Sequence, residues 1–193
     1  MAQVQAAQRP RVDDAQARAR LLEIIRQKSV RRGTFTLASG AISDYYLDLK
    51  PTMFDPEGAA LIAEVVCGML ADDTDVAAIG GLELGAVPIV AAVCARSWQE
   101  RPIEGFVVRK EKKGHGTDQK IDGNFKPNST VILMEDVTTK GGSVMQAVRA
   151  VRAQGAVIKK IVTIVDRLEG ASENLKKEGL VLVPVFTTKE LLG

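Results

Sequence analysis

The sequence predicts an α/β domain built on a parallel β-sheet with helices on both faces. Three observations carry that prediction. From residue 76 onward, short runs of Val and Ile are near-continuous rather than alternating, as strands buried on both faces require. Segments with apolar residues at helical spacing separate these runs, and such alternation implies right-handed crossovers. The chain has 193 residues and is 46% hydrophobic, which suffices for one buried core and one domain.

Residues 1–12 read as a flexible, polar lead-in and 13–193 as the domain. Asp13 and Asp14 precede Ala17, Leu21, Ile24 and Ile25, which share one helical face. Arg31, Arg32 and Gly33 are expected to end that helix. A hairpin-like region follows, with strands over 34–38 and 45–49 and a turn at Ser39-Gly40. Asp55-Pro56-Glu57 is a helix start, Asp as cap and Pro in the first turn, and Ile62, Val65, Val66 and Met69 supply its buried face. Beyond it the pattern predicts a strand at 76–79, a Gly80-Gly81 turn, a helix at 85–97, and strands at 104–108 and 130–134. A helix with Val144, Ala147, Val148 and Val151 on one face closes at Gly155, and strands at 160–165 and 181–186 complete the set. Residues 110–128 do not fit. They are polar, contain glycine, and are too long for an ordinary connection, so they are expected to be functional.

Composition narrows the function. Lys and Arg number 26 against 24 Asp and Glu, a net charge of +2, which argues against a nucleic-acid-binding surface. No apolar run reaches the roughly 18 residues of a membrane span, and the N-terminus lacks the pattern of a secretory signal. The expected location is the cytoplasm. Cys67 and Cys94 lie in apolar, helical runs and are expected to be free thiols of a reducing compartment.

The most informative segment is Val131-Ile132-Leu133-Met134-Glu135-Asp136-Val137-Thr138-Thr139-Lys140-Gly141-Gly142-Ser143. A buried strand ends in two carboxylates, and a loop of hydroxyls and glycines then opens a helix. Ligands of open α/β sheets bind beyond the carboxyl ends of the strands. Gly141 and Gly142 let backbone amides approach a ligand, Thr138, Thr139 and Ser143 add hydroxyl donors, and the helix N-terminus favours an anion. Neighbouring side chains on a strand point to opposite faces, so Glu135 and Asp136 are expected to meet one ligand only where the strand turns. Carboxylates suit two vicinal hydroxyls. Phosphate on one side and a diol on the other describe ribose 5-phosphate. The spacing is not that of a Walker loop.

This segment resembles the signature of the type I phosphoribosyltransferases, which bind 5-phosphoribosyl 1-diphosphate. The resemblance implies a central parallel sheet flanked by helices, with a small N-terminal hood at about 13–55, a core at about 56–193 and a mobile loop at about 110–128. It assigns the ribose hydroxyls to Glu135 and Asp136 and the 5-phosphate to Thr138, Thr139, Lys140, Gly141, Gly142 and Ser143, with Val137 also among the residues that bind the phosphoribosyl diphosphate.

Within that family the chain is similar to the orotate phosphoribosyltransferases. The similarity lies in Arg109-Lys110-Glu111-Lys112-Lys113-Gly114-His115-Gly116, in Phe35-Thr36-Leu37-Ala38-Ser39-Gly40 with Ser43 and Tyr45-Tyr46-Leu47-Asp48 following, and in Val165-Asp166-Arg167. It implies transfer of ribose 5-phosphate to orotate, giving orotidine 5'-phosphate and pyrophosphate. Arg109, Lys110, Lys113 and His115 would bind the phosphoribosyl diphosphate, Lys113, His115 and Asp136 would be catalytic, and Thr139 and Arg167 would meet orotate. The resemblance also implies Mg²⁺ held mainly by substrate, with no direct protein ligand expected. It implies a homodimer in which the loop closes over the neighbouring subunit's site, with Lys110 serving one site and Arg109, Lys113 and His115 the other. Two alternatives compete: a phosphoribosyltransferase for another base, and a non-catalytic regulator that senses the ribosyl diphosphate. The sequence departs from the family at Ala38, where Lys is common, at Glu83-Leu84, where a Tyr-Lys pair is common, and at Lys140, where a small residue is usual.

Overall fold

The computed structural model describes residues 14–36, 40, 42–98, 100–111 and 120–193. Helix α1 (Asp14–Lys28) buries Ala17, Leu21, Ile24 and Ile25, the face its spacing predicts. It ends before Ser29. Arg31, Arg32 and Gly33 belong instead to β1 (Val30–Thr36), which pairs antiparallel with β2 (Ile42–Leu47) in a separate two-stranded sheet. The hairpin therefore begins and ends earlier than its sequence suggests. A short helix, α2 (Lys50–Met53), leads into α3 (Pro56–Met69). The Asp55 side chain caps α3, accepting a bond from the Gly58 N–H at 2.9 Å, with Pro56 in the first turn.

The main sheet contains β3 (Ala78–Leu82), β4 (Glu104–Val108), β5 (Ile121–Gly123), β6 (Thr130–Thr138), β7 (Val157–Asp166) and β8 (Leu182–Thr187), in the spatial order β5-β4-β3-β6-β7-β8. All neighbours are parallel except β4 and β5. Strand β5 lies inside the segment taken as one long loop; three residues carry too little pattern to be read as a strand. Helices α4 (Ala86–Ser97), α5 (Gly142–Arg152), α6 (Ala171–Lys177) and α7 (Thr188–Leu192) complete the chain. One face of the sheet packs Ile79, Ile132, Met134, Val162 and Ile164 against α1, α3 and α4. The other packs Leu82, Phe106, Val131, Leu133 and Ile161 against α5 and α6. The alternation along β6, with residues 131 and 133 on one side and 132 and 134 on the other, is that of a strand covered on both faces.

Gly80 and Gly81 do not form the expected turn. Both lie within β3 and are buried. A Cβ on Gly80 would enter the Phe106 ring, and one on Gly81 would meet the Met134 carbonyl and Ala86. The glycines let β6, the α4 start and an aromatic ring close onto the strand, a use that tertiary packing reveals and local turn chemistry does not.

The order of the strands has a direct consequence for the site. From β3 the chain moves outward to β4, then returns to place β6 on the other side of β3 and continues to β7 and β8. The reversal puts a topological switch point between the carboxyl ends of β3 and β6, where open α/β sheets bind ligands.

Candidate active site

Strand β6 carries the acidic pair into that crevice. It does not stop at Met134, as its apolar run suggests, but stays paired with β7 as far as Thr138 opposite Asp166. Glu135 and Asp136 thus lie within the paired strand. Their carboxyls interact all the same. Burial foremost, then the neighbouring charge of Asp136 and a contact with its carboxyl, push the Glu135 pKa up to about 8, with Lys110 opposing. Glu135 is only 7% exposed, and its Oε2 has no hydrogen-bond partner among the described residues. Asp136 is half-buried; its Oδ1 accepts the Val137 N–H at 2.9 Å. A Cβ on Gly85, at the start of α4, would collide with the Asp136 carboxylate, so glycine there is what brings the β3–α4 loop against the acidic pair.

At the end of β6 the chain forms a small, open cup lined by Glu135, Val137, Thr138, Thr139, Gly141, Gly142 and Ser143 with Val144. Gly141 caps α5 at φ 84°, a left-handed conformation that glycine adopts without steric cost. The first N–H groups of α5 have no intrahelical acceptor, and they face an anion-favouring end of the helix dipole. The Thr138 hydroxyl is buried with no partner among the described residues. Thr139, Lys140, Gly142 and Ser143 are exposed.

Arg167 sits at the end of β7 beside this cup. Its N–H donates to the Thr138 carbonyl at 2.9 Å, and its own carbonyl accepts from the Thr188 hydroxyl at 3.1 Å. The Arg167 side chain is 10% exposed, its Nε lies 2.7 Å from Glu169 Oε1, and its guanidinium is 4.9 Å from the centre of the Tyr45 ring. The Nε–Glu169 approach is an ion pair off the direction of an aligned hydrogen bond.

The remaining predicted residues divide. Arg109 pairs with Asp122 of β5, and its N–H donates to the Lys120 carbonyl at 2.9 Å. Lys110 is exposed, and its N–H donates to Glu83 Oε1 at 2.8 Å, which links this segment to the β3–α4 loop. Lys113, His115 and Ala38 lie outside the described residues. Sequence reasoning gave Tyr45 and Glu83 no contact of this kind, and passed over Glu169 and Lys50. The last donates to Asp48 Oδ1 at 3.0 Å; that bond holds its pKa above the usual lysine value, and the charge of Asp136 adds to the effect. The closeness of Glu169 to Arg167 in the chain was the one available signal.

Among the described residues, no group of three or more His, Cys, Asp or Glu side chains converges on one point. Glu135 and Asp136 are nonetheless hard oxygen donors of the kind Mg²⁺ takes one or two of when substrate oxygens supply the rest. No helix among the described residues is long and apolar enough to cross a membrane. Cys67 and Cys94 are half-buried and form no disulfide, and burial pushes the Cys67 thiol up to about 11.

Fold and site together define a type I phosphoribosyltransferase, a transferase of pentosyl groups. No family model matches the chain, but relatives match nearly all of it. The orotate phosphoribosyltransferase of Rhodopseudomonas palustris strain BisB5 is 49% identical over 182 residues, covering 92% of this chain and 97% of that protein. That of Methanocaldococcus jannaschii is 42% identical over 175 residues, covering 90% and 96%. Among solved structures, Mycobacterium tuberculosis orotate phosphoribosyltransferase in complex with Fe(III) dicitrate superposes with a TM-score of 0.82 at 38% identity, over 91% of this chain and 98% of that one. The same enzyme with 5-phospho-α-D-ribosyl 1-diphosphate gives 0.78 at 36%, over 92% and 99%. The chain belongs to the orotate phosphoribosyltransferase family.

Proposed function

We propose that the chain transfers ribose 5-phosphate from 5-phosphoribosyl 1-diphosphate to orotate in pyrimidine synthesis, with the roles distributed as follows. The observation that carries the reading is the buried Glu135 carboxyl, whose Oε2 has no hydrogen-bond partner among the described residues, beside Asp136 at the rim of the helix-capped cup. A buried acceptor left open in this way is completed by ligand hydroxyls. Glu135 and Asp136 hold the ribose diol. Val137, Thr138, Thr139, Lys140, Gly141, Gly142 and Ser143 surround the 5-phosphate through backbone amides and hydroxyls. Arg167, seated beside Thr138, meets the orotate carboxylate, with Thr139 next to it.

In the reaction the C1–O bond to pyrophosphate breaks and a bond from C1 to the orotate ring nitrogen forms, through the oxocarbenium character common to glycosyl transfer. Asp136, on the solvent side of the acidic pair, faces the positive charge that develops at C1. Arg109, Lys110, Lys113 and His115 take up the charge of the departing pyrophosphate. Mg²⁺, held mainly by substrate oxygens, supplies further neutralisation there. For Arg109 to take part, its ion pair with Asp122 must open or share its guanidinium with the ligand. We place the enzyme in the cytoplasm as a homodimer whose loops serve neighbouring sites, a reading that rests on the family resemblance.

The direct test is the fall in orotate absorbance on adding 5-phosphoribosyl 1-diphosphate, with and without Mg²⁺. Metal-dependent consumption, with adenine, hypoxanthine and uracil inert, is expected. Lys113→Ala should lower the rate about a hundredfold, and a loss under about threefold would remove the loop from the catalytic assignment. Mixing Lys113→Ala with Asp136→Asn subunits should restore activity, because one site of each mixed dimer is then intact. If mixing restores nothing, the loops serve their own subunit.

A further inference from the structure

Arg167 is held on several sides. Its backbone is fixed by Thr138 of β6 and Thr188 of α7. Its side chain is fixed by two residues with no role in the site so far. The Tyr45 ring, from β2 of the small hairpin sheet, lies against the guanidinium at 4.9 Å, within the range where cation and ring attract. Glu169 Oε1 lies 2.7 Å from Nε.

A guanidinium can meet a carboxylate in a two-point contact along its Nε side or across its two terminal nitrogens. Glu169 takes the Nε side. Among the described residues no hydrogen bond is made to either terminal nitrogen, so the end-on edge stays open. Arg167 is 10% exposed while Glu169 is 37% exposed, so the arginine is the sequestered partner and needs a companion charge to stay where it is.

We propose that Tyr45 and Glu169 are positioning residues that orient Arg167 for end-on engagement of the orotate carboxylate. This rests on the reading of Arg167 as the partner of orotate. Tyr45 stops the guanidinium from swinging off the plane set by β7, and the Glu169 charge beside Nε favours the rotation that leaves the terminal nitrogens open. The acceptor pocket is thereby tuned from the hairpin, although Arg167 itself belongs to the core sheet. Removing Glu169 leaves the 10%-exposed Arg167 side chain without a counter-charge and so costs some stability, but the effect that separates positioning from a purely structural role is on orotate binding.

The test is a set of steady-state KM values for both substrates, with thermal unfolding alongside. Glu169→Ala should raise the orotate KM about tenfold while leaving that of 5-phosphoribosyl 1-diphosphate within about twofold, with a modest fall in Tm. Glu169→Gln, which keeps the length of the side chain and loses its charge, should recover only a small part of the loss, whereas Glu169→Asp should recover more. Tyr45→Phe should behave as the parent protein, because the ring remains, and Tyr45→Leu should raise the orotate KM several-fold. In an Arg167→Ala background, Glu169→Ala should add nothing. If Arg167→Ala weakens orotate alone while Glu169→Ala is silent, moves both KM values together, or adds its full effect to Arg167→Ala, positioning is overturned and the Arg167 reading stands. If Arg167→Ala leaves the orotate KM unchanged, the Arg167 reading falls and the proposal with it.

Discussion

Two acids at opposite ends of the sheet are buried to nearly the same degree and behave in opposite ways. Asp73 is 6% exposed and Glu135 is 7% exposed. Asp73 lies 3.1 Å from the Lys159 ammonium and 2.6 Å from that of Lys160, both near the start of β7. Lys160 also donates to the Met69 carbonyl, and Arg101 donates to the Asp73 carbonyl. Burial pushes the Asp73 pKa up, but Lys160 and Lys159 outweigh it and hold the group below the usual carboxylate range. Glu135, at the carboxyl end of β6, has a second acid for a neighbour and, unlike Asp73, no ion-pair partner among the described residues, and its pKa rises to about 8. The end of the sheet at Asp73 neutralises its acid with two lysines, whereas the end at Glu135 sets one acid beside another. Depth alone separates neither acid from the other; the partners do.

Removing the acidic pair should have the largest effect. Glu135→Gln with Asp136→Asn should lower kcat/KM by on the order of 10³-fold without loss of stability, read by orotate consumption and thermal unfolding. Activity within about tenfold of the parent would dissolve the distinction between the two ends.

The next effect is on stability. Because the folded pKa of Glu135 lies above its usual value, its contribution is fully present below about pH 4.5 and is lost as pH rises through about 8. Glu135→Gln removes that loss. The ligand-free variant should therefore gain on the order of 3 kcal/mol at pH 8 over the gain it shows at pH 5, measured by denaturant unfolding. An equal effect at both pH values would show that Glu135 ionises as an ordinary surface acid. Binding of the ribose hydroxyls should conversely strengthen between pH 6 and 8.

Asp73 has the opposite sign. Its stabilisation is present above the usual carboxylate range and disappears as pH falls through its lowered pKa. Asp73→Ala should cost about 2 kcal/mol near neutral pH, by leaving Lys160 partly buried without its counter-charge, and less in acid. Both KM values should hold. A change in either would mean that the two ends of the sheet are coupled. The smallest effect belongs to Asp55, where removal of the α3 cap should cost about 1 kcal/mol, a shift of about 2–4 °C in Tm for a chain of this length.

Where local pattern and packing agree, the elements were legible. The apolar faces of α1 and α5, the Asp55 cap and the strand at Glu104–Val108 appear as their residues predict. The cup of residues 135–143 was equally legible, because hydroxyls, glycines and acids in that order have few other uses. The misreadings share one cause. Gly80-Gly81 looks like a turn until the Phe106 ring and α4 are seen to need its missing side chains. Strand β6 was expected to end at its last apolar residue, yet its pairing with β7 carries it through two carboxylates. The helices α2, α6 and α7, of four, seven and five residues, are too short for periodicity to mark.

The class of fold, the run of acids, hydroxyls and glycines at residues 135–143 and the kind of chemistry follow from residue types at short spacing and from the local geometry such spacing imposes. The tertiary structure decided how distant segments complete that cup. It set Gly85 against Asp136, Tyr45 over Arg167, Glu83 on the Lys110 amide, and the burial that raises the Glu135 pKa. Each of these is a meeting of residues far apart in the chain or a consequence of burial. Neither is encoded in any short stretch; both follow only once the sheet has closed and water has left.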